Sequence, residues 1–222
     1  MQNGYIQKLS PHLSQDLNEK IELIIIDGAS TDGTREFLTN QKVKFHTLEN
    51  STRLARLKYG LKLATQNKII LHHPRSILEA NAFKELIYTN EQWGGFTHRF
   101  DIRHPLLNFT SFYSNFIRGD IKSIFYFDHC IYLDKNLKDL ILNLEDREIF
   151  EDTEISLILK QRTKGKRLKA SSTTSAIRFL SNGIYRQAYL NQKMKWLYYK
   201  KHNHKLMNKE YEKDMNLNNE TK

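Results

Sequence analysis

The chain has 222 residues, of which 39% are hydrophobic and 27% charged, proportions that fit one globular domain with a substantial core and exclude a disordered chain. A single cysteine, Cys130, excludes an intrachain disulfide framework and a zinc site built on cysteines. The formal net charge of +10 favours phosphate-bearing ligands, anionic lipid or nucleic acid as partners. The sequence has no recognised nucleic-acid-binding motif, so nucleic acid is not an expected partner.

The hydropathy pattern of the chain predicts the cellular location of the protein. The first twenty residues lack the apolar core of a signal peptide, and no run approaches the roughly 18–20 apolar residues of a membrane-spanning helix. The expected location is the cytoplasm, either in solution or as a peripheral protein at the inner face of the membrane.

Apolar periodicity predicts that helices and strands alternate up to about residue 90. The predicted elements are, in chain order, a helix over 5–18, a strand over 21–27, a helix over 34–40, a strand over 43–48, a helix over 52–65, a strand over 68–71 and a helix over 81–88. This alternation is typical of a parallel α/β sheet.

The second half of the chain predicts a more mixed arrangement. Its predicted elements are a strand over 94–101, a helix over 105–118, a strand region over 123–133 interrupted at Asp128-His129, helices over 137–143 and 152–163, a strand over 167–171 and a helix over 182–201. Residues 1–201 are therefore predicted to form a single domain, followed by a polar, disordered tail over 202–222.

Residues 21–34 combine an apolar strand with a polar, glycine-containing turn. The run from Leu23 to Ile26 has no polar break, which predicts a strand buried on both faces. Thr34 can cap the helix that follows. Open parallel sheets bind ligands at the carboxyl ends of their strands, so Asp27 and Asp32 are expected beside a ligand.

The segment 21–34 resembles the nucleotide-sugar signature of family 2 glycosyltransferases, without gaps. Four shorter segments follow in the order typical of a bacterial branch of that family, the selenodomain-associated transferases 2: Gly95–Asp101, Phe127–Cys130, Phe150–Glu154 and Ser175–Phe179. The resemblance covers roughly residues 4–200. It implies the GT-A fold, with a mixed, mainly parallel sheet flanked by helices. It also implies transfer of a sugar from a nucleotide-sugar donor, with a UDP-sugar expected, to a cell-surface glycan or a lipid-linked acceptor.

The resemblance places the donor nucleotide at the first motif. Asp27, beside Gly28, is expected to accept hydrogen bonds from a uracil N–H or from ribose hydroxyls. Asp32 is a second candidate for that contact, although Ser-Thr-Asp-Gly is good turn chemistry and the turn is the favoured interpretation. Arg53 opens a predicted helix where the family has an arginine near the nucleotide; the helix dipole favours acids there and does not explain it. A surface arginine is the alternative.

Two further segments supply candidates for the chemistry. Glu151-Asp152 matches an acidic pair before a helix, and Asp152 is the candidate base that deprotonates the acceptor hydroxyl, with Glu151 beside it. The alternative is that both acids stabilise the start of the helix. Asp128-His129 matches an element on the acceptor side, where Asp128 can bind an acceptor hydroxyl. His129 can equally be a core or surface histidine.

The expected metal site lacks its acid. The family has a metal-binding acid after the strand that is here 68–71, and this chain reads His72-His73-Pro74-Arg75, with Pro74 at the acid position. Proline has no ligand atom, so binding of a divalent metal is doubtful. His72 and His73 are poor joint ligands because adjacent strand residues point to opposite faces. Arg75 or a nearby lysine is expected to stabilise the diphosphate charge instead.

The start of the chain also departs from the family. The strand that forms one wall of the nucleotide pocket has no counterpart before residue 21, which suggests a truncated chain or a lost strand. Because an unpaired central edge is a liability, a second copy or a partner chain is expected to cover it. Together with Pro74, this departure supports an alternative function, a catalytically silent GT-A domain that serves as a binding or scaffold subunit.

The predicted helix over 182–201 mixes aromatic and basic residues. Tyr185, Tyr189 and Trp196 alternate with lysines and arginines, a combination that suits an anionic membrane surface. The alternative is a helix packed on the domain with a solvated basic side.

Overall fold

The structure is a computed structural model that describes residues 21–213. The predicted helix over 5–18, the expected absence of a strand before residue 21 and the last part of the predicted tail, 214–222, lie outside the described residues. Between 21 and 213 the chain forms a two-stranded and a five-stranded sheet with helices around them.

The small sheet carries the motif over 21–34. β1 (Ile25–Asp27) and β2 (Phe45–Thr47) pair in parallel and are connected by α1 (Thr34–Asn40). α2 (Arg53–Leu63) follows and packs against β1. The motif is therefore a strand, a turn and a helix, as the sequence predicts.

The predicted burial of the first strand on both faces is wrong. Leu23 is 59% exposed, and the three isoleucines that follow it are only half-buried. In the part of the chain that the structure describes, β1 has one neighbouring strand, β2, so an apolar run of this length is incompletely covered.

The second sheet is mixed, with the strand order β3-β6-β5-β7-β4. Its strands are β3 (Lys68–Leu71), β4 (Ser76–Leu78), β5 (Trp93–Phe100), β6 (Ile131–Asp134) and β7 (Lys166–Thr174).

Antiparallel pairing is commoner in this sheet than the sequence predicts. β5 and β7 pair in parallel, whereas β3–β6, β6–β5 and β7–β4 are antiparallel. β3 and β5 run in the same direction, but β6 lies between them and runs against both. The mixed sheet is confirmed. The expected majority of parallel pairings is not present among the described strands, because the second half of the chain inserts β6 into the parallel set. β4 was not predicted.

The parallel pair at the centre of the sheet depends on a close backbone approach. A Cβ on Gly94 would lie 1.7 Å from the carbonyl oxygen of Lys166, so only glycine fits there. The neighbouring Trp93 is fully buried, and its indole N–H donates to the carbonyl oxygen of Thr163 at 2.8 Å. These contacts fix the start of β5 against the start of β7, two strands that lead toward the candidate site.

The predicted helix over 105–118 changes its winding. α4 (Pro105–Phe112) continues as a π-helix over Tyr113–Ile121. The wider turn places the buried Asn115 against β5, where its side-chain amide donates to the carbonyl oxygen of His98 and its oxygen accepts from the His98 N–H, both at 2.9 Å. π-Helical turns are uncommon and often mark functional sites.

Six further α-helices lie in the described residues, together with short 3-10 helices over Phe127–His129 and Lys135–Leu137. The α-helices are α3 (Ala82–Tyr88), α5 (Lys138–Leu142), α6 (Glu151–Leu159), α7 (Ile177–Asn182), α8 (Ile184–Tyr199) and α9 (His204–Glu212). α8 matches the helix predicted over 182–201 to within two residues at each end, whereas α7 was not predicted; Gly183, with a φ of 81°, separates the two. No helix of the described residues is long and apolar enough to cross a membrane.

The predicted disorder of 202–222 is wrong for residues 204–212. Asn203 caps α9 by accepting from the backbone N–H groups of Lys205 and Leu206, and Met207 is buried against Ile149 and Met194. The polar composition hid this helix because few apolar residues anchor it.

Candidate active site

The loop after β1 holds its two predicted carboxylates in turn hydrogen bonds. Asp27 is buried and accepts from the Ser30 backbone N–H at 3.0 Å and from the Ser30 hydroxyl at 2.5 Å. Asp32 accepts from the Thr34 hydroxyl at 2.6 Å and from its N–H at 3.2 Å. The turn interpretation of Asp32 agrees with these bonds. The predicted capping by Thr34 is wrong, since Gly33 is the N-cap and Asp32 supplies the oxygen that Thr34 needs.

An arginine that sequence reasoning missed covers this loop. A Cβ on Gly28 would lie 2.8 Å from Nη1 of Arg56, so the guanidinium rests against the Gly28 peptide. Arg56 is held there by the Ser51 carbonyl oxygen, to which Nη1 donates at 2.7 Å. Burial lowers the pKa of Arg56, as does the neighbouring Arg53, whereas Asp27 raises it. The loop is thus lined by a fixed cation.

Arg53 joins the start of α2 to the two predicted catalytic acids at the start of α6. Thr52 caps α2 by accepting from the Ala55 N–H at 3.0 Å, which places Arg53 at the first helical position. Arg53 forms an ion pair with Glu151, whose side chain is 1% exposed, while the Arg53 side chain is 48% exposed. Its guanidinium also lies 5.5 Å from the centre of the Phe127 ring.

A strained residue directs the start of α6. Phe150 is the N-cap, with a φ of 63° that is unusual for a bulky residue, and its ring packs against Tyr198 at 4.7 Å. The next two residues are Glu151 and Asp152. The helix therefore begins with two acids, which its dipole favours, although Phe150 supplies no capping side chain.

Asp152 has the environment expected of a base. One of its oxygens accepts from the Thr153 N–H at 2.6 Å, and the other accepts weakly from the Phe127 N–H at 3.4 Å. Burial, together with the charge of Glu151, raises the pKa of Asp152 to about 7, against the opposing effect of Arg53. Both effects favour the protonated carboxyl, so Asp152 holds its proton more tightly than an ordinary aspartate does.

Three histidines and an arginine influence the ionisation of Asp128. Burial opposes its ionisation, but His73, His98, His129 and Arg178 around it hold the pKa of Asp128 below its ordinary value. The carboxylate is therefore ionised at neutral pH.

The buried position of His129 favours the core interpretation. Its Nδ1 accepts from the Tyr126 N–H at 3.2 Å, and its Nε2 lies 3.4 Å from the Ser114 hydroxyl. His98 packs beside it with ring centres 5.5 Å apart. Burial lowers the pKa of His129 to about 3, so its imidazole is neutral at pH 7.

Two arginines, Arg75 next to Pro74 and Arg178 in α7, bear electrostatically on Asp128. Arg75 donates its backbone N–H to Nδ1 of His73 at 3.2 Å, and burial and the neighbouring Arg178 lower the pKa of Arg75. Arg178 lies 4.6 Å from the ring centre of Tyr211 in α9. Arg178 belongs to the Ser175–Phe179 segment, which was the only sequence signal that could have identified it.

The residues around Pro74 do not fit a divalent metal. Pro74 is exposed and offers no ligand atom, and in residues 21–213 no three histidine, cysteine, aspartate or glutamate side chains converge on a common point. His72 and His73 are neutral, because burial lowers the pKa of each to about 4. No catalytic step is therefore assigned to a metal.

Two cavities lie away from these residues. One of about 20 Å³, room for a single water molecule, lies between α8 and α9 and is lined by Gln187, Leu190 and Tyr211. The other, an open groove of about 440 Å³, is lined by Lys68 and Asp134 at the outer edge of the second sheet. Neither is lined by a predicted site residue, so the site is defined by its chemistry rather than by an open pocket.

Comparison with known proteins shows likeness in structure only. No family model and no curated protein matches this sequence. The S. aureus protein TarS, residues 1–349, in complex with UDP-GlcNAc superposes with a TM-score of 0.59 at 11% identity, over 78% of this chain and 54% of that one. A second structure of the same TarS fragment gives 0.58 at 12% identity, over 78% and 57%. The mannosyltransferase PcManGT from Pyrobaculum calidifontis, in complex with GDP-Man and Mn²⁺, gives 0.51 at 15%, over 86% and 56%.

At these identities the likeness shows the fold alone. The chain spans little more than half the length of the solved structures it matches. The described residues have the mixed α/β architecture of GT-A glycosyltransferases, with a curled mixed sheet flanked by helices.

The two adjacent acids of α6 are expected to affect stability in opposite directions. The pKa of Asp152 is raised in the folded chain, so ionisation of Asp152 weakens folding as pH rises from about 4 to about 7. Asp152→Asn removes that charge. We expect it to raise the urea midpoint at pH 8, with the difference from the parent chain vanishing near pH 4.

Glu151→Gln is the matched comparison in the same unfolding experiment. It leaves Arg53 without its carboxylate and should lower the free energy of unfolding at pH 8 by about 1–3 kcal/mol, less than for a fully buried pair because Arg53 is half exposed. If both variants lose stability alike, Asp152 is a structural acid of the helix start.

Proposed function

We propose that this protein is a family 2 glycosyltransferase that transfers a sugar from a nucleotide-sugar donor to an acceptor hydroxyl. The observation that carries the proposal is the Arg53–Glu151 ion pair. It joins α2, which packs beside the proposed donor loop after β1, to the start of α6, where Asp152 is the second residue. The fold supports it, since solved neighbours carry UDP-GlcNAc and GDP-Man. The motif over 21–34 favours a UDP-sugar, and the order of the later segments favours the selenodomain-associated branch.

The proposed reaction uses Asp152 as general base. Its carboxylate takes the proton of the acceptor hydroxyl as that oxygen bonds to the anomeric carbon of the sugar. The bond from this carbon to the diphosphate oxygen breaks, and the nucleoside diphosphate leaves with the electron pair, so the anomeric configuration inverts. A pKa of about 7 suits this role, because the base is substantially ionised yet still basic at neutral pH.

Arginines stabilise the leaving diphosphate in this proposal. Arg75 and Arg178 lie near each other and near Asp128, and each carries a permanent positive charge. Guanidinium groups bind phosphate oxygens in a bidentate fashion, which supplies the charge that a metal supplies elsewhere. Asp128, ionised among its histidines, accepts a hydrogen bond from an acceptor hydroxyl.

One observation favours the alternative of a silent binding or scaffold subunit. Tyr211 of α9 packs on Arg178, and the two cavities described above lie away from the predicted site residues. In this alternative α9 occupies the space that a donor diphosphate needs. Donor titration separates the two functions.

Titration calorimetry with UDP and GDP, each with EDTA or with Mn²⁺, tests the donor site. We expect UDP to bind equally well under both conditions. Arg178→Gln should weaken binding at least tenfold, since one charged hydrogen-bonding partner of phosphate is worth about 1.5–3 kcal/mol.

Arg162→Gln is the matched control, because Arg162 is exposed beyond the far end of α6 and should leave UDP affinity unchanged. Absence of UDP and GDP binding under every condition would support the scaffold subunit instead. Binding that requires Mn²⁺ would contradict the arginine mechanism.

We also propose that α8 lies on an anionic bilayer, where a lipid-linked acceptor would be found. Tyr185, Tyr189, Trp196 and Tyr199 are exposed at spacings that place them along one side of the helix. Lys200 lies 4.5 Å from the Trp196 ring, so cations accompany the aromatic stripe. Aromatic side chains between cations are typical of helices that rest in the headgroup region.

Co-sedimentation with vesicles tests this location. We expect binding to vesicles that contain phosphatidylglycerol at low salt, little binding to phosphatidylcholine alone, and a loss of at least fivefold on Trp196→Ser. Tyr88→Ser removes an aromatic residue of α3 that is more exposed than Trp196, and it should leave vesicle binding unchanged. Equal binding of both variants, or no binding to either vesicle, overturns the proposal.

A further inference from the structure

A buried arginine lies beside the candidate base with no acid assigned to it. Arg118, in the π-helix, is 6% exposed, and its Nε has no hydrogen-bond partner among residues 21–213. None of the ion pairs found in that part of the chain includes Arg118. A buried guanidinium is costly unless an anion and hydrogen bonds compensate it.

Tyr126 gathers this arginine and a second cation. The Arg118 guanidinium carbon lies 4.0 Å from the centre of the Tyr126 ring, and Nζ of Lys195 in α8 lies 5.8 Å from the same centre. The Tyr126 hydroxyl is buried and has no hydrogen-bond partner among the described residues. Two unsatisfied donors, Arg118 Nε and the Tyr126 hydroxyl, and the Lys195 ammonium therefore meet around one ring.

The charges at this point do not balance within the described residues. Burial, together with the nearby charge of Arg118, lowers the pKa of Lys195 to about 8, against a smaller opposite effect of Asp152. Asp152 is the one carboxylate that bears on Lys195, yet its oxygens already accept from Phe127 and Thr153, and it also interacts with Arg53. A group with one or two negative charges would satisfy both cations.

The position of these three residues indicates which substrate would carry such an anion. The donor diphosphate is assigned to Arg75 and Arg178, the arginines whose charges bear on Asp128. Arg118, Tyr126 and Lys195 instead border Asp152, which takes its proton from the acceptor. An anion held here would be part of the acceptor molecule, close to the hydroxyl that reacts.

We propose that Arg118, Lys195 and Tyr126 form an oxyanion subsite that selects acceptors carrying a phosphate or carboxylate group next to the reacting hydroxyl. This inference rests on the proposed function, since Asp152 must act as the base for the neighbouring anion to belong to an acceptor. The guanidinium binds two oxygens, the ammonium adds a third contact, and the phenol hydroxyl donates a hydrogen bond. Such a site is built before ligand arrives, so its cations gain rather than lose interactions on binding.

Calorimetric titration of inorganic phosphate tests the subsite while saturating UDP blocks the donor site. We expect one phosphate to bind per chain, with affinity lowered at least tenfold by Lys195→Met. Lys193→Met is the matched control, because Lys193 lies on the same helix but is exposed and paired with Glu210, and it should bind phosphate normally. A parallel titration with acetate shows whether a carboxylate can replace the phosphate.

Arg118→Gln should also lower phosphate affinity. Because Arg118 is buried, this variant can fail to fold, and Lys195→Met then decides the test alone. UDP affinity, measured on every variant, separates the two proposals. UDP binding with no phosphate binding, or phosphate binding that survives Lys195→Met, overturns the oxyanion subsite and leaves the donor site standing. Absence of both UDP and GDP binding by the parent chain overturns the proposed function itself.

Discussion

The Arg53–Glu151 ion pair is the contact on which the candidate site depends. Glu151 is 1% exposed, and a carboxylate at that depth requires a charged partner. Arg53 supplies it from the first turn of α2, the helix that packs on β1 and presents Arg56 to the loop after β1. One pair of charges therefore links the start of α2 to the start of α6. Farther along α2, Lys58 makes a second polar link to the segment before α6, through Asp146 and the Leu144 carbonyl oxygen.

Backbone strain accompanies the two acids assigned to the acceptor side. Phe150, two residues before Asp152, and Cys130, two residues after Asp128, both have positive φ values, 63° and 47°. Non-glycine residues in this region cost about 1 kcal/mol or more each and persist where surrounding contacts impose them. Packing of Phe150 on Tyr198 and contact of Cys130 with Ser172 provide such contacts.

Local patterns predicted local structure well and long-range contacts poorly. α1 and β3 have the predicted bounds, because a turn rich in glycine and polar residues and an unbroken apolar run each leave little choice. The π-helix, β4 and α9 were missed, since no short-range signal distinguishes them from an α-helix, a loop or a polar tail. Arg118, Arg178 and Lys195 read in sequence as ordinary basic residues. Their meeting with acids and rings from distant segments is a property of the folded chain.

A double-mutant cycle on Arg53 and Glu151 measures whether this ion pair links the two parts of the candidate site. The free energies of unfolding of Arg53→Ala, Glu151→Ala and the double variant are compared at pH 8 with that of the parent chain. We expect a coupling energy of about 1–3 kcal/mol, so that the double variant loses less free energy of unfolding than the sum of the two single losses. Additive losses would show that Arg53 and Glu151 are not energetically coupled, which would contradict a link between α2 and α6 through this ion pair.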